Sequence, residues 1–248
     1  MGAARNLAKM EGFLLIDKPA GITSFGVIAR LRRITGVRRI GHAGTLDPFA
    51  TGLLIVGVGR GATKHLGEYL GQRKTYEAVA MLGATTVTQD KDSDIVPIEG
   101  VEMPTEAEVR AAIPRFTGPL QQTPPMFSAK KIDGKKLYEL AREGIEVERK
   151  SVAVTVYSLE LLSYVPPKLA FRATVSAGTY VRTLAHDLGH ALGTGAYLEK
   201  LRRTAIGGLS VAQASVIENV TPENWQSLLL PITQSTANAA PSDTAQKE

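Results

Sequence analysis

The chain has 248 residues, 44% of them hydrophobic and 21% charged, with a net charge of +5 and no cysteine. That length allows one large domain or two small ones, and the composition is that of a soluble globular protein. Without cysteine there are no disulfides, thiolate metal sites or cysteine nucleophiles, and without an apolar run of roughly 20 residues there is no membrane helix.

Residues 13–17 read as a short buried strand, stopped by Lys18-Pro19-Ala20-Gly21. Thr23 or Ser24 can cap a helix whose apolar positions Val27, Ile28, Leu31 and Ile34 follow helical spacing, with Gly36 ending it. Residues 41–52 show neither helical nor strand period; they hold one imidazole, His42, one carboxylate, Asp47, and three glycines. An apolar strand over 53–58 follows, then a short amphipathic helix near 62–70 and a strand over 74–82. The acidic stretch 90–104 reads as an exposed loop, and Thr105 with Glu108 forms a capping box for a helix to about Ile113.

Residues 117–134 are rich in Pro, Gly and Gln and lead into a basic helix over 135–143. Strands near 152–163 and 169–176 flank Pro166-Pro167. A helical pattern covers 180–192, and 198–203 is a further short segment. Residues 231–248 read as a polar, disordered tail. There is no internal repeat. Strands and helices interleave without a regular βαβ rhythm, which predicts a mixed α/β fold (α+β) with a mixed sheet. The first ten residues lack the apolar core of a signal peptide, so a cytoplasmic protein is expected.

Charge is unevenly spread. Residues 1–89 carry a net +7, residues 90–108 a net −6 and the remainder a net +4. Arg30, Arg32, Arg33, Arg38 and Arg39 fall within ten residues, Lys130, Lys131, Lys135 and Lys136 form a second cluster, and Arg202 with Arg203 a third. Separate basic clusters suit an extended polyanion, although a solvated basic surface would look the same by charge alone.

Several motifs fail on inspection. Residues 57–61 are Gly-rich but lack the spacing of a dinucleotide loop. Asp90, Asp92 and Asp94 imitate a calcium loop, yet Ile95 stands where glycine is required and Val101 where the bidentate glutamate belongs. His186 and His190 sit four apart, but Asp187 replaces the glutamate of a zincin and no third ligand stands out. No serine-hydrolase elbow occurs. Composition leaves Asp47 either as a turn residue capping a neighbour or as an acid presented on a loop backed by a buried strand. With the other chemistries set aside, Asp47 is the best candidate nucleophile.

The 41–52 loop, Gly-His-Ala-Gly-Thr-Leu-Asp-Pro-Phe-Ala-Thr-Gly, closely resembles the catalytic loop of the bacterial TruB-type tRNA pseudouridine synthases. Three further segments resemble that family in the same order: Leu14 to Pro19 with Gly21, Thr23 and Ser24; Lys74-Thr75-Tyr76; and Ser176 to Thr183. Pro125 to Lys131 and Gly134 to Tyr138 resemble its RNA-binding insertion.

The resemblance implies isomerisation of uridine 55 in the tRNA T-arm to pseudouridine, without cofactor or metal, by a cytoplasmic monomer. It implies the pseudouridine synthase catalytic fold over residues 1–230, a central mixed, largely antiparallel sheet flanked by helices, and a thumb-like RNA-binding insertion at about 124–150. The small C-terminal RNA-binding domain of longer members is expected to be absent. Asp47 would be the nucleophile, Arg182 would orient it, and Tyr76, Tyr180 and Leu201 would line the base pocket. His42 would contact displaced nucleotides, and Arg30, Arg33, Arg38, Arg39, Lys130, Lys131, Lys135 and Lys136 would meet phosphates. A silent RNA-binding module and a nucleoside hydrolase are the competing classes. The trio Asp47, Tyr76 and Arg182 argues against the first. The dispersed basic clusters, and the lack of a second acid standing out near the loop, argue against the second.

Overall fold

A computed structural model describes residues 11–128, 130–132 and 134–232. The side chains of Lys131, Ile132 and Lys136 lie outside the described set, as does 233–248 of the expected tail. In chain order the elements are β1 (Gly12–Lys18), α1 (Ser24–Thr35), β2 (Ile40–Ala43), β3 (Thr51–Val58), α2 (Gly59–Lys64), α3 (Leu66–Leu70) and β4 (Lys74–Leu82). Next come β5 (Ala84–Thr85), β6 (Val96–Pro97), α4 (Glu106–Ala112), β7 (Gly118–Gln122), β8 (Lys131–Ile132), β9 (Lys135–Lys136) and α5 (Leu137–Arg142). The last are β10 (Val152–Val165), β11 (Lys168–Val175), α6 (Val181–Ala191), β12 (Ala196–Ile206), β13 (Leu209–Ser210) and β14 (Ser215–Val216). The fold is mixed α+β with a mostly antiparallel central sheet. The chain forms two compact units, Met1–Thr75 with Arg202–Glu248, and Tyr76–Leu201.

In the first unit β3 pairs antiparallel with both β1 and β2, and parallel with β12 at Arg202↔Thr51 and Arg203↔Gly52. Strand β3 is apolar along nearly its whole length because both of its faces are covered. One face packs Leu54, Val56 and Val58 with Val27, Ile28 and Leu31 of α1 and with Trp225; the other packs Leu53 and Ile55 with Phe13, Leu66 and Tyr69. Helix α1 forms as its sequence dictates: the Thr23 hydroxyl accepts from Gly26 N at 2.9 Å, and Gly36 ends it in the left-handed region at φ 70°. The end of this unit joins its beginning, since Phe13 and Leu230 exchange backbone hydrogen bonds of 2.9 and 2.8 Å.

In the second unit, strands run in the order β4-β11-β10-β7, with β10 antiparallel to both neighbours. Burial alternates strictly along β4 and β11, the period-2 pattern of half-covered strands. The capping box at Thr105 and Glu108 is formed in both directions.

Several sequence expectations are corrected. Residues 40–43, including Gly41 and His42, are a strand rather than loop; four residues with a glycine show no readable period, and pairing with β3 decides the matter. The 62–70 helix is two short helices broken at His65. Residues 117–134 contain β7, an edge strand that tolerates Pro119. Residues 135–136 belong to a hairpin, so the basic helix starts at Leu137. The 198–203 segment is part of the eleven-residue strand β12. In the acidic stretch, Asp90 is buried rather than exposed. Ile232, the last described residue, packs on the Phe13 cluster.

Candidate active site

Asp47 lies on the loop between β2 and β3, and that loop is fixed by its neighbours' backbone. Gly44 turns through the left-handed region at φ 80°. Leu46, 3% exposed, is clamped by Ser24: its N–H donates to Ser24 Oγ at 2.9 Å, and Ser24 Oγ–H donates to Leu46 O at 3.2 Å. Gly21 N–H donates to Pro48 O at 2.8 Å, and Ala50 N–H to Asp47 O at 3.1 Å. Phe49 and Ala50 are buried just beyond. Gly52 closes the loop at φ 103°, and a Cβ there would fall onto the Arg203 backbone. Gly52→Ala is therefore expected to destabilise the protein by about 2 kcal/mol or more, combining backbone strain with a clash that no side-chain rotation relieves. A melting curve unchanged from the parent would contradict this.

Three buried cations surround the loop. Lys18 Nζ donates to Pro19 O, Ile22 O and Pro48 O at 2.9, 2.8 and 3.3 Å. Lys74 Nζ donates to Leu70 O and Gln72 O, both at 2.9 Å. Arg203, 1% exposed, donates from Nε to Leu53 O at 2.8 Å and from Nη2 to Gly44 O at 3.0 Å. Burial pushes Lys18 down to about 8; the charge of Asp47 opposes that and Arg203 adds to it. Burial, then Arg203, brings Lys74 to about 8 as well. Both lysines remain mostly protonated at pH 7, and the charge of Lys18 is coupled to that of Asp47. Burial, then Arg203, also lowers His42, which keeps the imidazole neutral at that pH.

The lysines make stability depend on pH in a definite direction. Above pH 8 the folded protein holds fewer of these protons than the unfolded chain, whose lysines titrate near 10.5. Stability should therefore rise between pH 8 and about 9.5, with a full effect of about 3 kcal/mol at most per lysine. Urea unfolding across that range checks it, and Lys74→Met should remove part of the slope. A slope that is flat in the parent would rule the depressed lysines out.

In the second unit Arg182 opens α6 and is 3% exposed. Its Nη1 lies 3.2 Å from Asp90 Oδ2 and donates to Thr88 O at 2.6 Å, while Nη2 donates to Phe127 O at 2.8 Å. Asp90 is itself held: Oδ1 accepts from Thr88 Oγ1 at 2.7 Å and from Asp92 N at 3.0 Å. Burial, then the charge of Asp90, raises Asp92. Sequence reading missed Asp90, whose only signal was a calcium-loop pattern it does not serve. Tyr180 precedes Arg182 and is set by a reciprocal pair: its N–H donates to Gln122 Oε1 at 2.8 Å, and Gln122 Nε2 donates to its carbonyl at 3.0 Å. Tyr76 on β4 and Leu201 on β12 are 8% and 7% exposed.

The basic residues are less uniform than their clustering suggested. Arg33 and Arg38 are exposed, Arg30 pairs with Glu218 at 3.2 Å, and Arg39 Nε donates to Thr63 Oγ1 at 3.3 Å. Lys130 is half-buried and Lys135 exposed. The Gly-rich 57–61 segment, set aside as a phosphate loop, has its amides occupied by a carboxylate: Glu11 accepts from Arg60 N and Gly61 N at 3.0 and 2.6 Å.

The mostly antiparallel α+β scaffold that carries the Asp47 loop matches pseudouridine synthase structures. The chain in a crystal structure of a Cbf5-Nop10-Gar1 complex superposes on it with a TM-score of 0.72 at 27% identity, covering 91% of this chain. This chain spans about three fifths of that one, 61%. The model of the TruB family pseudouridylate synthase N-terminal domain matches residues 32–181, and that of the tRNA pseudouridylate synthase B C-terminal domain matches 182–232. The chain belongs to the TruB family of pseudouridylate synthases. The tRNA pseudouridine synthase B of Chlamydia trachomatis serovar L2 is 52% identical over 204 residues, 82% of this chain and 84% of its own. That of Opitutus terrae is 46% identical over 238 residues, 94% and 96% of the two chains.

Proposed function

We propose that this protein isomerises uridine 55 in the T-arm of tRNA to pseudouridine, with Asp47 as nucleophile. The observation that carries the reading is the Asp47 loop, clamped through its backbone and surrounded by Lys18, Lys74 and Arg203. The reaction breaks the C1′–N1 bond and forms C1′–C5; the C5 proton is released and N1 gains one. Asp47 supplies the covalent partner that holds the sugar or base between these events. The target must first leave the stack, at a cost of a few kcal/mol.

Other roles follow from the residue-by-residue match. Tyr76, Tyr180 and Leu201 line the base pocket, Arg182 orients the nucleophile and His42 meets displaced nucleotides. The exposed arginines and the 124–150 insertion, with Lys130, Lys131, Lys135 and Lys136, meet the RNA backbone. The enzyme works as a cytoplasmic monomer, and no helix among the described residues is long and apolar enough to cross a membrane.

The test uses unmodified tRNA tritiated at uridine C5. One equivalent of tritium per tRNA is expected to be released, and none from the target site when uridine 55 is replaced by cytidine. No release from the unaltered tRNA would defeat the proposal.

A further inference from the structure

Phe25 is an aromatic residue in the wrong place for folding. It sits in the first turn of α1 and is 71% exposed, and among the described residues no other aromatic side chain is so open to solvent. Burial of so little of the ring contributes little to stability. Its position is nonetheless fixed. Thr23 caps the same turn, and the adjacent Ser24 holds Leu46 of the Asp47 loop through two hydrogen bonds. The ring meets His42 edge to face, with centroids 6.2 Å apart and planes at 89°.

The helix below Phe25 presents a stripe of matching character. Phe25, Ala29 and Arg32 are exposed at i, i+4 and i+7, one face of a helix, with exposed Arg33 beside them. Ala29 leaves the helix backbone open to close approach, and Arg32 Nη2 is tied to Ile40 O at 3.2 Å. A free aromatic face followed by anchored positive charge is the arrangement that receives an unpaired nucleotide: the base stacks and the phosphate meets the cation. The neutral His42 behind the ring suits a base better than a phosphate.

We propose that Phe25, seated on His42, is a stacking platform for an unpaired base of the RNA substrate, with the exposed arginines of α1 meeting the adjoining phosphates. This rests on the tRNA reading above and adds to it a binding residue outside the base pocket.

The test compares Phe25→Ala, Phe25→Leu and Phe25→Trp with the parent, measuring Kd for unmodified tRNA across a salt series, and KM and kcat by tritium release. Loss of one stacked base is expected to weaken binding about 10-fold. Alanine and leucine should raise Kd and KM by that factor, far more than they lower kcat, at an unchanged salt slope. Tryptophan should hold parental affinity, and its emission should be quenched by RNA above the background of Trp225, which is 1% exposed. Alanine binding within twofold of the parent, leucine binding as well as tryptophan, or a shallower salt slope in the alanine variant would each overturn the stacking role while leaving the isomerase intact. A parent inactive on tRNA would overturn both.

Discussion

Asp47→Asn is expected to lower the single-turnover rate of tritium release by at least about 10⁴-fold, the order found when a covalent nucleophile is removed. The amide keeps the size of the carboxylate and loses its charge and nucleophilicity. The loop should survive the change, because Ser24, Gly21, Lys18 and Arg203 hold it through the backbone of Leu46, Pro48 and Gly44. Melting temperature and tRNA affinity should therefore stay close to the parent's while chemistry disappears. A variant within tenfold of the parent would remove Asp47 from the nucleophile's role.

Asp90→Ala is expected to cost about 2–3 kcal/mol of stability, because it removes a buried, charge-assisted contact of Arg182 and the acceptor that serves Thr88 Oγ1 and Asp92 N. The side chains of Arg182 and Asp90 are 4% and 5% exposed, so solvent cannot take over the lost partner. Because Arg182 lies in the first turn of α6, directly after Val181 and the Tyr180 that Gln122 holds, activity should fall together with stability. Asp90→Asn, which keeps an acceptor for Thr88 and Asp92, should lose less. Urea unfolding of both variants measures the cost; an alanine variant within 1 kcal/mol of the parent would show that the pair is not electrostatically essential.

Local rules carried the sequence reading where local forces decide. Helix α1 was legible because its apolar period, the Thr23 cap and Gly36 all agree. Asp47 stood out through the resemblance of its loop to a family's catalytic loop, since composition alone left it either a turn residue or a presented acid. The cationic surround was not legible. Lys18, Lys74 and Arg203 come from distant parts of the chain, and a lysine reads as a surface residue until the fold buries it. Asp90 failed for the same reason: its partner Arg182 lies far along the chain, and within its own stretch it was one of many acids. Strand β7 was hidden by Pro119 and Gly118, which read as loop residues although an edge strand accepts them.

The first unit is assembled from the two ends of the chain, and this has a consequence for how the protein is made. The backbone bonds between Phe13 and Leu230 and the parallel pairing of Ser215 and Val216 with β1 need residues that a ribosome delivers late. At roughly 5–20 residues per second, β1 and α1 wait on the order of ten seconds or more before their partners emerge. The second unit, contiguous in sequence, can fold during that interval. Until then the apolar faces of β1 and β3 lack part of their cover, so nascent chains stalled before residue 215 should be the ones that chaperones hold.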